Sequence, residues 1–264
     1  MRAFILGVCA FVIAFPAQSW DGAGHRKACH KAWREMSEAA RTGVSRLLEI
    51  TTADDFANLC TWADDIAERR PETRAWHLLS IPKDARTIDL TRDCTGPQSC
   101  VVEQIGRNAD ILASAAPKAA RAEALKMVAH LMADLHQPLH VAFAADRHGE
   151  GIPITFLGRE TNLHELWDSL LLDVPDPPSR GYTPFLQDMT DRYNRERWSV
   201  GTVRDWAQET MWVMRAPPTG YVGNPGGLVF DELYVKQNYL VATDQLDKAG
   251  VRLGALLNKT FLAP

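Results

Sequence analysis

The chain has 264 residues, 46% of them hydrophobic and 23% charged, with a formal net charge of −4. This balance excludes a disordered or collagen-like polypeptide and a polytopic membrane protein, and the length is ample for one large domain with a buried core. A net-acidic chain also lacks a general basic field for polyanions, so a phosphate-binding site would have to draw its positive charge from something other than lysine and arginine.

The chain opens with Met1 and Arg2, followed by an uncharged stretch from Ala3 to Phe15 and the closing Pro16-Ala17-Gln18-Ser19. That stretch is too short to span a bilayer and fits the apolar region of a secretory signal. Ala17 and Ser19 are the small residues a signal peptidase needs before its cut. Residues 1–19 are therefore expected to be a leader, and residues 20–264 a mature domain that begins at Trp20 and is secreted or periplasmic. Cys9 leaves with the leader. The remaining Cys29, Cys60, Cys94 and Cys100 suit an oxidising compartment. Cys94 and Cys100 are close enough to close a small loop, which would leave Cys29 for Cys60, although four cysteines allow three connectivities. No C-x-x-C pair supports a cysteine-rich zinc site.

From Trp20 onward, apolar residues recur at three- and four-residue spacing over 30–50, 117–137, 163–172, 203–214 and 230–257. Breaks rich in Gly and Pro fall at 80–82, 95–97, 175–181 and 217–227. Residues 152–157 alternate with period two and predict a short strand within a β-hairpin. No repeat, low-complexity tract or linker interrupts the chain. The expected class is mainly α, in a single domain.

The histidines carry the chemistry. His130-Leu-Met-Ala-Asp134-Leu-His136-Gln-Pro138-Leu-His140 places four candidate ligands in one short run. His130 and Asp134 are i, i+4 partners and leave one helical face together. Pro138 should end the helix near His136, so that His140 approaches from another direction. Downstream, Asn162-Leu-His164-Glu-Leu-Trp-Asp168 repeats the His/Asp spacing on a second helix. Imidazole and carboxylate donors favour zinc, and a carboxylate such as Asp134 can bridge two cations. Closely spaced metals polarise a phosphoryl oxygen and activate water for phosphoester hydrolysis, which would also supply the missing positive charge. His30 and His148 have no comparable partners and read as surface or loop residues. Trp33, Trp62, Trp76 and Trp167 read as packing around the site, and Asn258-Lys-Thr260 is a glycosylation sequon.

Three outlying elements join this pattern: Trp20-Asp-Gly-Ala-Gly-His25, Thr61-Trp62-Ala63-Asp64 and Ala75-Trp76-His77. Together they resemble the zinc-dependent single-strand-specific nucleases of the S-one/P-one family and, more distantly, the bacterial zinc phospholipases C. The motifs run in family order, and the segment from Gln245 to Asn258 looks like the family's closing helix. The resemblance implies a helical fold of the phospholipase C/single-strand nuclease type, with three Zn²⁺ per chain. Asp64, His77, His130 and Asp134 would hold one zinc. His25, Asp134 as bridge, and the free amine and carbonyl of Trp20 would hold its neighbour. His140, His164 and Asp168 would hold the third. Asp64 and Asp134 are the carboxylates this assignment places in catalysis, and His136 receives no zinc but a supporting role in the core or around the ligands.

The implied activity is hydrolysis of single-stranded DNA and RNA to 5′-phosphate products, with 3′-nucleotidase activity, by a monomer without stable membrane association. Three features depart from the family. An arginine position reads Ala67, with Arg69 and Arg70 as substitutes. The base-gripping positions read Leu78 and Ser80, and a Gly-Gly-Asn loop reads His148-Gly149-Glu150. Phospholipase C-type hydrolysis and non-catalytic zinc sequestration are the alternatives. Against the former, the last ligand pair is His164 and Asp168 rather than one ending in glutamate.

Overall fold

Short polar residues ahead of several apolar runs set where those helices begin. Asp21 accepts from the backbone N–H groups of Ala23 and Gly24, both at 3.0 Å, and so starts the first helix of the described chain. Thr52 with Asp55, and Thr202 with Asp205, form reciprocal capping boxes that open two more. The computed structural model describes residues 20–95, 99–175, 177–179, 181, 184–222 and 230–262. The expected leader lies outside them.

In chain order the helices are α1 (Gly22–Glu35), α2 (Glu38–Leu48), α3 (Ala53–Leu59), α4 (Trp62–Arg69), α5 (Leu90–Asp93), α6 (Val101–Ala113), α7 (Lys118–Asp134), α8 (Leu163–Glu165), α9 (Pro184–Trp198), α10 (Val203–Arg215) and α11 (Glu232–Leu262). Two strand pairs complete the described residues. β1 (Leu79–Ile81) runs parallel to β2 (Val141–Phe143), with Leu79 opposite Val141, and β3 (Pro153–Phe156) pairs antiparallel with β4 (Arg159–Asn162). The fold is thus mainly α, and the hairpin expected around 152–157 is present.

α7 runs through the core, where Leu125, Met127, Val128, Leu131 and Met132 are buried. α11 lies along α1, and Gly250 and Gly254 make that contact close. A Cβ on Gly250 would sit 2.7 Å from the Ala28 carbonyl, and one on Gly254 would sit 2.6 Å from Glu35 Cβ. Asn258, one turn further on, bridges the joint between α1 and α2 by accepting from Ser37 N–H at 2.7 Å and donating to the Glu35 carbonyl at 3.0 Å. The sequon asparagine is therefore engaged in packing.

Several expected boundaries move. The apolar run over 30–50 divides into α1 and α2, because Met36 turns extended and Ser37 caps the new helix through Ala40 N–H. α7 ends at Asp134, before His136, and Gln137 is extended ahead of a 3₁₀ turn at Pro138–His140. After α8 the backbone widens into a π-helical turn at Leu166–Leu170. The break expected at 80–82 is largely strand, since Leu79–Ile81 finds a partner far along the chain.

Cys29 bonds Cys60, and Cys94 bonds Cys100. The first ties α1 to the residue that ends α3. The second closes a short loop ahead of α6, where Val101 N–H reaches the Leu78 carbonyl at 3.1 Å. No helix among the described residues is long and apolar enough to cross a membrane. The separations of 31 and 6 residues rank the two bridges. Loop-closure entropy gives about 4 kcal/mol for the longer and about 2 kcal/mol for the shorter. Replacing Cys29 and Cys60 together by alanine is expected to lower the unfolding free energy more than replacing Cys94 and Cys100, which denaturant titration of both variants measures.

Candidate metal centre

The central group is the carboxylate of Asp134, on the last turn of α7 and with no solvent exposure. His25 Nε2 approaches its Oδ1 at 3.2 Å. His77 Nδ1 and His130 Nε2 approach its Oδ2 at 2.8 and 3.2 Å. Asp64, on the first turn of α4, reaches His130 Nε2 at 3.4 Å, and the His25 and His130 rings stack with centroids 4.0 Å apart. His140 adjoins this group, with Nδ1 3.8 Å from Asp134 Oδ1. Its Nε2 turns toward Asp168 Oδ1 at 3.7 Å, while His164 Nε2 lies 3.1 Å from Asp168 Oδ2. Eight of the nine positions expected to share a site thus converge, and Trp20 joins them through its contact with His25. Three overlapping or adjacent groups can each hold a metal ion: His25, Asp64 and His130; His77, His130 and Asp134; and His140, His164 and Asp168.

Local structure explains the convergence. β1 follows His77 and β2 follows His140, so the parallel pair brings together two histidines 63 positions apart, and His140 Nδ1 donates to the His77 carbonyl at 2.9 Å. Trp20 is fully buried, its indole N–H donating to the Ala133 carbonyl at 3.1 Å and its carbonyl meeting His25 Nδ1. Gly24 leaves room for this, since a Cβ there would fall 2.9 Å from Trp20 Cβ. Asp21 N–H adds a bond to the Asp168 carbonyl at 2.9 Å, which links the beginning of the domain to the last expected ligand.

The ring nitrogens show what the cluster is suited to hold. A carbonyl can only accept, so Nδ1 of His130 on Cys60 (2.7 Å), of His140 on His77 (2.9 Å) and of His164 on His148 (2.7 Å) each carries a proton. In each neutral ring Nε2 then presents a lone pair to the interior. His140 Nε2 and His164 Nε2 are buried without hydrogen-bond partners. Lone pairs opposite carboxylates repel unless a cation or a proton lies between them. Imidazole and carboxylate donors whose other ring nitrogen is pinned by a backbone carbonyl fit zinc.

Without a metal, protons take that place. Burial opposes charge on His130, yet Asp134 and Asp64 outweigh it and push its pKa up to about 9. His164 rises against its burial to about 9 beside Asp168. Asp134 resists the upward push of burial and is held well below the carboxylate range by His130, His25 and His77.

A family model described as S1/P1 Nuclease matches residues 20–262. The chain belongs to the S1/P1 nuclease family. It is a phosphodiester-hydrolysing nuclease of that family. Endonuclease 2 of Arabidopsis thaliana is 28% identical over 92% of this chain and 90% of its own length. Nuclease S1 of Aspergillus oryzae is 24% identical over 97% of both, and Nuclease P1 of Penicillium citrinum is 28% identical over 58% of both.

Around this centre, the departures from the S1/P1 nuclease pattern acquire positions. Arg70 pairs with Glu123 at 3.1 Å and Arg69 faces solvent, so neither is turned to the metal groups by the contacts it makes. Arg74 Nε instead donates to the Ala67 carbonyl at 3.3 Å. His148, read as a surface or loop residue, lies on a turn but is buried. Its Nδ1 donates to the Leu139 carbonyl at 3.1 Å, its Nε2 meets Ser80 Oγ at 2.9 Å, and its carbonyl serves His164. Burial and the neighbouring His164 and His140 push its pKa down to about 3, so it stays neutral. Trp167 is buried with its indole N–H on Tyr234 Oη at 2.9 Å, which agrees with packing.

A metal must displace the protons that His130 and His164 hold at pH 7. Loading the metal-free protein with zinc is therefore expected to release at least these two protons per chain, and apparent affinity should rise as pH climbs toward 9. Calorimetry in buffers of different ionisation enthalpy counts those protons.

Proposed function

We propose that this chain is an exported zinc-dependent nuclease that cuts single-stranded DNA and RNA, leaves 5′-phosphate products, and removes 3′-phosphates from nucleotides. The observation that carries the reading is the inward convergence of pinned imidazoles and carboxylates around Asp134. Asp64, His77, His130 and Asp134 would hold one zinc. His25, Asp134 and the amine and carbonyl of Trp20 would hold the second, and His140, His164 and Asp168 the third. Zinc bound there supplies positive charge to the scissile phosphate and makes water a nucleophile near neutral pH.

The chain's own residues then have limited tasks. Asp134 offers one oxygen to the His25 side and the other to the His77 and His130 side, so it suits a bridge. Backbone carbonyls fix which nitrogen of His130, His140 and His164 bears hydrogen, and Trp20, Leu131, Leu135 and Trp167, within or next in sequence to the ligand positions, are fully buried. Asp64 is the half-buried member of the set, which suits a carboxylate at the entrance. A recessed site of this kind is reached more readily by a flexible strand than by a stiff duplex. The two disulfides and the apolar leader support export.

The decisive experiment is digestion of single- and double-stranded DNA by mature protein, with and without chelator, beside a phosphatidylcholine assay. Cutting of single strands that chelator abolishes is expected. Phospholipid hydrolysis without DNA cleavage would overturn the substrate assignment. Asp134→Asn should lose more than the roughly 10–100-fold that removal of an outer partner of a metal ligand costs. Turnover at the parent rate would remove Asp134 from the mechanism. One residue added ahead of Trp20 converts its amine to an amide, a poor zinc ligand. Elemental analysis should then find less zinc per chain, with activity reduced in step.

A further inference from the structure

Two side chains from the segment between Gln245 and Asn258 of α11 reach the turn that follows α7, although neither belongs to the metal groups. Gln245 Nε2 donates to the His136 carbonyl at 3.1 Å. Arg252 Nη1 donates to His136 Nε2 at 2.7 Å. Arg252 is only 1% exposed, and the rest of its guanidinium is also committed: Nε donates to the Trp198 carbonyl at 2.9 Å, Nη2 to Glu209 Oε2 at 2.5 Å, and the group lies 5.0 Å over the Trp206 ring. A buried planar fork held at each of its three nitrogens has one position, so it acts as a fixed anchor. With Nε2 accepting from Arg252, His136 Nδ1 carries the ring proton and donates to the Met132 carbonyl at 2.7 Å. His136 is thereby pinned at both nitrogens and at its backbone.

The next residue is Gln137, with no solvent exposure. Its Oε1 accepts from Leu139 N–H, so the amide cannot turn over and its NH₂ must point the other way. There it donates to Asp168 Oδ1 at 2.5 Å, which leaves Asp168 Oδ2 facing His164 Nε2 at 3.1 Å.

We propose that Gln137 is a positioning residue that fixes the rotation of the Asp168 carboxylate toward His140 and His164, and that Arg252 holds Gln137 in place through His136. The inference rests on the zinc-dependent reading. It gives the C-terminal helix a task at the group formed by His140, His164 and Asp168, separate from the groups around Asp134.

The test uses zinc-loaded Gln137→Leu and Arg252→Lys proteins, with circular dichroism to verify folding. Zinc per chain is measured after dialysis against graded chelator, and cobalt absorption is recorded after metal exchange. In Gln137→Leu, one metal equivalent should leave at roughly 10–100-fold lower chelator strength while the others hold. The cobalt spectrum should change for that equivalent, and kcat on a dinucleotide should fall with KM little changed. Arg252→Lys keeps the charge but loses the fork, so it should weaken the same equivalent to a smaller degree; it decides the matter if Gln137→Leu does not fold. Retention of every metal at the parent affinity in the folded variants overturns the proposal, as does an even weakening of all equivalents, which a purely structural role would produce. A parent protein without tightly held metal defeats the zinc-dependent reading itself.

Discussion

A carboxylate without solvent exposure needs compensating charge, and the arrangement around Asp134 follows from that need. Taking an ion out of water costs several kcal/mol even after the protein relaxes. Here His130 from α7 itself brings that charge, while His25 from α1 and His77 from a 3₁₀ turn bring ring nitrogens to the two carboxylate oxygens. The same group that makes the interior expensive therefore dictates which elements must meet there. It also suits the interior to cations, since a cation or a proton must lie between facing lone pairs and carboxylates.

The orientation of the ligands is a property of the backbone. The carbonyls of Cys60, His77 and His148 choose the tautomer of His130, His140 and His164, and each carbonyl belongs to a different piece of local structure. The two histidines that hold no place among the metal groups in α7's sequel and the following loop, His136 and His148, are both buried and neutral, one beside Arg252 and the other beside Ser80. The cluster is consequently surrounded by imidazoles that do not compete for its charge.

Much of this was legible in the residues. The spacing of His130 and Asp134 on one helical face, the proline stop before His140 and the repeated spacing of His164 and Asp168 all express local helical geometry, which a sequence carries openly. Cysteine spacing likewise pointed to the pairing found. What escaped depends on partners remote in the chain. The parallel pairing of Leu79 with Val141, the division of 30–50 at Met36 and the burial of His148 are settled by tertiary packing. Carbonyl acceptors leave no mark in side-chain identity. Gln137 had a discoverable signal, a polar residue between two histidine positions, but its partner Asp168 becomes evident only when the helices are assembled.

Cys60 contributes its sulfur to the bridge with Cys29 and its carbonyl to His130. That double duty couples the covalent bridge to the orientation of an imidazole. Until the thiols are oxidised, the acceptor that dictates which nitrogen of His130 bears hydrogen is tethered to α1 by packing alone. Material made in a reducing cytosol would lack that tether beside His130, so the redox history of a preparation would belong beside its metal content in any account of its quality.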